Sequence, residues 1–537
     1  MIAREIAGLF AEVSDALPRG LGPFEGLWSK DGGDGPDDDL LDPAAIPPLD
    51  GSCVVGVIDH AVPFAHRQLT LPGGVSRVAS IWLQDGLPFP HAVAGAGLPF
   101  GTELRGPTIT RLIARHRRAG HSDEEAIYRD AGAISFAPPR RTALARTRSH
   151  GAAVAMLAAG RAPGDPAARR RPIIAVGLPD EVVRDASGTL APYYILMGTL
   201  HVLHRARLLG QARGAPLPVS IVLSMGVTAG AKDGTGLVDR FQDAVVRAGP
   251  GLGLGPVRFV VPMGNHRQAR AAALLNGDDT IGWRTLPDDR TPSYLQIRLA
   301  PGAASHLSLA PPGGEPIETA LPPSGSARDL MFGGRHAARL YAAEETGVHG
   351  PRTVLTLALP PTDGSAGANV VARPGQWMLQ LPGLEGDAEI YVQRDERIAA
   401  LRSGGRQSHL VHPAYRGRDD LGRAIMEDDA SGGPIRRGMS VNAYACGRNQ
   451  MRVGSRRPNE PDRAAPFSGR HDRGADGPAP DGDMLVDSDR GPNRPGILVR
   501  GTRGGARSLM RGTSVSAAIH AAAVADELAA QDRTTSQ

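Results

Sequence analysis

"SCVVGVID", residues 52–59, is a short apolar run rich in β-branched residues that ends on an aspartate. A run apolar at successive positions, rather than at alternate ones, marks a strand buried on both faces, as in a parallel sheet. Three more runs of this kind follow: "PIIAVGLP" (172–179), "VSIVLSMG" (219–226) and "VRFVVPMGN" (257–265). Helical patterns lie between them, in "HGAAVAMLAAG" (150–160), "YYILMGTLHVLHRARLLGQA" (193–212) and "LVDRFQDAVVRAG" (237–249). Strands alternating with helices predict an α/β domain with a doubly wound parallel sheet.

The pattern changes after about residue 276. Short alternating segments appear, among them "YLQIRLA" (294–300), "TVLTLALP" (353–360) and "AEIYVQRD" (388–395), with Gly and Pro turns between them. One stretch, "RHAARLYAAEE" (335–345), reads as a helix. The rest predicts an antiparallel β-sandwich of roughly 150 residues, an ordinary domain size. After residue 433 the α/β character returns with "GMSVNAYA" (438–445), and an alanine-rich helix closes the chain. The sandwich is therefore expected as an insertion. The expected divisions are an N-terminal helix and linker (1–48), two parts of an α/β domain (49–276 and 433–530), the sandwich (277–432) and a disordered tail (531–537).

Composition narrows the function classes. The net charge is +4, and Lys30 and Lys232 are the only lysines. The arginines are spread along the chain among acids, the densest runs, at 115–118 and 169–171, are short, and aromatics are 4% of residues. A nucleic-acid surface concentrates its basic residues and interleaves stacking rings, so no nucleic acid is expected as a partner. Two cysteines, Cys53 and Cys446, make no disulfide framework. The first 20 residues alternate at helical spacing and lack the uninterrupted apolar core of a signal peptide. No stretch is long enough to span a membrane. A soluble, cytoplasmic protein is expected.

Several local motifs are set aside. Asp37, Asp38 and Asp39 lack the spacing of a calcium loop. "GLGLG" (251–255) precedes a strand, whereas a phosphate loop follows one. His201 with His204, and His409 with His412, have no carboxylate or thiol pattern beside them and read as an ordinary helix face and a loop. Cys53 and Cys446 abut strands and read as buried and inert.

Four residues stand where a hydrolytic site belongs in such a fold, at strand C-termini or helix N-termini. Asp59 ends an apolar strand, where an acid is costly without a partner. His150 opens a helix of small residues. Asn265 ends another apolar strand. Ser514, in "RGTSVSAAIHAAAVA" (511–525), opens the last helix. Each alone has a structural explanation, such as a helix cap or a turn.

Together, the four segments resemble the subtilisin-like serine proteases (subtilases), whose catalytic residues follow the chain order Asp, His, Ser. "VVGVIDHAV" resembles the family's Asp strand. "SHGAAVAMLAAG" resembles its "HGTHVAG" helix, "VVPMGN" its "AAGN" segment, and "GTSVSAAIHAAAVA" its "GTSMAAPHVAG" helix. "IVLSMGV" is similar to the "SLGG" strand that pairs with substrate. "NAYA" and "APFSGRHDRG" fall where a late strand and the "FSNYG" loop would be. The likeness covers roughly 49–276 and 433–530. It departs at His60-Ala61 after the Asp, at Ala152-Ala153 in the His helix, and at Ala518 and Ile519 in the Ser helix.

The resemblance implies a serine endopeptidase with Asp59, His150 and Ser514 as its triad. Asn265 would be the oxyanion donor, and Ser224, Met225 and Gly226 would bind substrate. It implies a polypeptide as substrate, no membrane association and no cofactor. Many relatives bind calcium, yet no site for the ion can be named here. The sandwich is expected to gate the cleft or dock a protein partner. The alternative is a catalytically impaired protein of the same fold that binds or regulates through the sandwich.

Overall fold

The computed structural model describes residues 40–48, 50–86, 98–366, 370–395, 404–428, 432–457, 460–471, 480–486 and 496–535. The expected N-terminal helix and the three aspartates at 37–39 lie outside them.

The apolar runs form one sheet. Among the described residues it has nine strands. These are β1 (Val54–His60), β2 (Val78–Leu83), β3 (Thr102–Arg105), β4 (Ile173–Leu178), β5 (Val219–Leu223), β6 (Val257–Pro262), β7 (Gln450–Arg457), β8 (Glu460–Ala464) and β9 (Gly482–Leu485). Their order is β8-β7-β6-β5-β1-β4-β2-β3, with β9 also on β7. From β7 across to β2 every pair is parallel. Only the edge pairs β2–β3 and β7–β8 are antiparallel. The chain builds one side of β1 first and then the other, so β1 lies between β4 and β5 at a switch in strand order. Open parallel sheets bind ligands at the carboxyl ends of strands at such a switch. Asp59 sits at that end of β1.

Both faces are covered, which is why the strands are apolar at successive positions. Val54, Ile58, Ile221 and Phe259 pack with helices α2 (Ala191–Arg213) and α3 (Leu237–Ala248). Val55, Val57, Val222 and Val260 pack on the other face with α1 (His150–Ala158) and α4 (Thr513–Thr535). The alanines of α4 have a packing reason. Ala517, Ala518, Ala521 and Ala525 are buried, so the helix lies close against α1 and the sheet.

The described residues of 272–411 form two antiparallel sheets of five and six strands around their own apolar cluster. Trp283 and Trp377 are opposite each other across one pair of strands, both buried. The segment 335–345 is not a helix. It lies in a strand, Arg335–Gly347, paired on both sides. Gly333 and Gly334, both at positive φ, make the hairpin turn before it. Its residues alternate between buried and exposed over 338–343, so cross-strand pairing overrides the helix propensity of its alanines.

Other expectations shift. "NAYA" is irregular, and the late strand is β7, which follows it. Helix α4 runs on to Thr535 through the segment expected to be a disordered tail, and Asp532 accepts the Gly51 N–H at 3.0 Å. Leu40, Leu41 and Ala45, placed in the linker by the sequence, are buried in the α2-side cluster. His409 lies in a strand, His409–Val411, rather than a loop. His201 and His204 are buried rather than on an open helix face. No helix of the described residues is long and apolar enough to cross a membrane.

Candidate active site

Asp59 is fully buried at the end of β1. Its carboxylate accepts the His60 backbone N–H at 2.7 Å and faces His150 Nδ1, which is 2.9 Å from each oxygen. With Nδ1–H donating to the carboxylate, Nε2 is left as the basic nitrogen. His150 can come this close because α1 starts directly over β1. The Ser149 side chain caps that helix, accepting from the Ala152 N–H at 3.0 Å and donating to Ala61 O at 2.8 Å. At Gly151 a Cβ would fall 2.3 Å from His60 O. No side chain fits there.

Ser514 lies in the first turn of α4, where backbone N–H groups have no intrahelical acceptor and the helix dipole is positive. The residue before the helix, Gly512, has φ +128°, a conformation open to glycine. Ser514 is tied to the end of β5. Its hydroxyl donates to Ser224 O at 3.4 Å, and the Ser224 hydroxyl donates to Ser514 O at 3.3 Å. Asp59, His150, Ser224, Met225, Gly226, Asn265 and Ser514 all line one cleft of about 210 Å³. All seven residues expected at the site are therefore brought together.

Two residues were not singled out from the sequence. Thr513 orients Asn265: the Asn265 Oδ1 accepts from the Thr513 N–H at 2.9 Å and from its hydroxyl at 3.1 Å. The same hydroxyl accepts the Gly264 N–H at 3.0 Å. The amide oxygen is thus turned to Thr513, and the donors are on the other end of the amide. Asn442, buried, forms the floor between strands β5 and β6. Its NH2 donates to Met225 O (3.1 Å) and Pro262 O (3.0 Å), and its oxygen accepts from the N–H groups of Val227 (3.1 Å) and Tyr444 (3.0 Å). These four bonds use the full capacity of an amide side chain. The available signal was an amide residue inside the otherwise mostly apolar "GMSVNAYA".

The chain shares its fold with a protease. The structure of the Clostridium perfringens CspB protease is similar, with a TM-score of 0.56 over 89% of this chain and 82% of that one. Only 15% of residues are identical, so the likeness is one of fold. No family model matches the sequence, and no curated protein matches it.

His60, the departure next to Asp59, is accommodated by a partner of its own. Its Nε2 is 2.6 Å from Asp180 Oδ1. Burial pushes the Asp180 carboxyl up, but the hydrogen bond and charge of His60 outweigh it and hold it below its usual range. Asp85, in the same small cavity, is pushed up to about 6 by burial, partly offset by Arg141. Among the described residues no group of three or more His, Cys, Asp or Glu could hold a metal ion.

A second serine, histidine and acid meet inside the protein. On β2 and β3, the Ser80 hydroxyl donates to Glu103 Oε1 at 2.6 Å, and His201 Nε2 is 3.0 Å from Ser80 Oγ. The single hydroxyl proton goes to the carboxylate, so His201 carries its proton on Nε2. Glu103 is also clamped by Arg205 through two bonds, at 2.9 and 2.8 Å. All four residues are buried.

Proposed function

We propose that the protein is a serine endopeptidase of the subtilisin type. The observation that carries this reading is the Asp59–His150 pair at the strand switch, with Ser514 on a helix N-terminus in the same cleft. His150 Nε2 takes the Ser514 hydroxyl proton as Oγ bonds to the peptide carbonyl carbon. Asp59 holds the imidazole tautomer and stabilises the imidazolium. The oxyanion accepts hydrogen bonds from the Asn265 amide and the Ser514 N–H, in the positive field of the helix end. As the C–N bond breaks, His150 returns the proton to the leaving amine. Water, deprotonated by His150, then cleaves the acyl-enzyme ester and Ser514 regains its proton.

Substrate lies extended along Ser224–Gly226 by strand addition. The rigid Asn442 floor supports that segment. The two antiparallel sheets, which begin with the strand Ala272–Asn276 rather than at the expected 277, form a sandwich inserted into the α/β domain. The departure at His60 is compatible with catalysis, because its backbone N–H still donates to Asp59 and its ring pairs with Asp180 away from the Asp59–His150 contact.

A fluorophosphonate probe tests the assignment. Wild-type protein is expected to be labelled on Ser514 and Ser514→Ala protein is not. Equal labelling of the two, or none of either, would overturn it. The second outcome would favour a binding protein of the same fold.

A further inference from the structure

Beside the catalytic cleft lies a groove of about 1330 Å³, roughly six times larger. Eight arginines and only three carboxylates line it among the described residues. The arginines come from four separate places: Arg267 and Arg270 after β6, Arg418 and Arg423 in a loop, Arg457, Arg463 and Arg470 around β8, and Arg511 before α4. Two of the carboxylates are engaged within the groove. Asp419 takes Arg423 at 2.8 Å, and Glu427 takes Arg470 at 3.0 Å. The lining still carries five more positive than negative charges. A concave surface of one sign focuses its field on whatever enters it.

The groove is continuous with the site. Arg511, three residues before Ser514, lines both. Its position follows from the sheet order. The cleft spans the ends of β1, β5 and β6, and the groove begins after β6 and extends over β7 and β8. A peptide whose acyl side lies on Ser224–Gly226, at the end of β5, passes Ser514 and Asn265 and then enters the groove with its leaving-group side.

We propose that this groove selects polypeptides with acidic residues on the leaving-group side of the cleaved bond. The proposal rests on the endopeptidase reading for the direction of the chain. A polypeptide fits better than a nucleic acid, because the two rings in the groove are already covered. Arg511 stacks 5.6 Å over Phe467 and Arg437 stacks 4.5 Å over Tyr415, which leaves those faces unavailable for base stacking. Arginine forks match carboxylates bidentately.

The test uses three quenched fluorogenic peptides of one sequence. One carries three Glu after the scissile bond, one carries three Gln there, and one carries the three Glu before it. The first is expected to show a kcat/KM at least about tenfold above the other two at low salt, an advantage that shrinks as salt screens the groove. The double variant Arg418→Glu/Arg463→Glu is expected to bring the Glu-to-Gln ratio close to one. Arg328→Glu, exposed on the sandwich, is expected to keep the wild-type ratio. Thermal unfolding of each variant and the salt series on wild type keep the test independent of folding losses.

Equal kcat/KM for Glu and Gln peptides, or an equal gain from Glu on either side, would overturn the proposal. So would an RNA oligonucleotide displacing the peptide while free acidic peptide does not. Anisotropy of the same peptides on Ser514→Ala protein separates the two readings. Tighter binding of the downstream-Glu peptide without any wild-type hydrolysis would uphold the groove and sink the peptidase.

Discussion

The molecule holds two meetings of a serine, a histidine and a carboxylate, built on strands of the same sheet, and they differ in almost everything that matters for chemistry. In the cleft, the acid binds the histidine and leaves its other nitrogen facing an open site. In the interior, Glu103 binds the serine and Arg205, and His201 is reduced to a donor to Ser80. Burial pushes His201 down to about 3, with Glu103 only partly opposing it. That imidazole is neutral near neutrality and has no access to a substrate. Residue types do not make a site. The order of the hydrogen bonds and the place on the sheet do.

The contrast can be broken most sharply at the serines. Ser514→Ala is expected to lower kcat roughly a millionfold while leaving unfolding free energy within about 0.5 kcal/mol of wild type. Steady-state hydrolysis alongside urea titration checks both halves. Glu103→Gln is expected to act in the opposite way. It leaves the Arg205 charge buried with a neutral partner, which costs about 3–5 kcal/mol, measured by urea unfolding, with probe labelling of the folded fraction retained. If Glu103→Gln instead lost labelling at full stability, the interior cluster would have to be coupled to the cleft.

Asn265→Ala is expected to reduce kcat about a hundred- to a thousandfold with little change in KM. A rise in KM alone would assign Asn265 to ground-state binding. Ser80→Ala should cost roughly 1–3 kcal/mol of stability, because His201 and Glu103 lose a buried partner, and should leave labelling intact.

The interior histidine also sets a pH dependence, read as a slope. His201 titrates near 6.5 when unfolded and at about 3 when folded, so between those values only the unfolded chain takes up the proton. Stability therefore falls as pH drops through that window, by about 1.4 kcal/mol per unit for that group. Burial would raise Glu103, but Arg205, His201 and Arg105 outweigh it and hold it at about 2. It adds a loss of the same sign below about 4.5. Urea titrations from pH 7 to 3.5 on wild type and His201→Gln should differ in slope, the variant being flatter. Parallel slopes would mean the folded state accepts that proton.

The sequence by itself determined the alternation of buried strands and helices, because a strand covered on both faces must be apolar at successive positions. It also placed Asp59, His150, Asn265 and Ser514 at strand ends and helix starts, where an unpaired polar residue is costly or a helix dipole is useful. It did not determine the partners. Asn442 was one polar letter in an irregular stretch, and three of its four bonds reach segments 180 to 217 residues away. The strand at 335–347 carried helix-forming alanines, and only pairing on both sides decided its state. The basic groove was invisible for the same reason: its arginines are scattered over about 245 positions, and charge becomes a surface only when the backbone brings it to one place. Local pattern fixes burial and periodicity. Which distant groups meet, and in which order they bond, is settled by the fold.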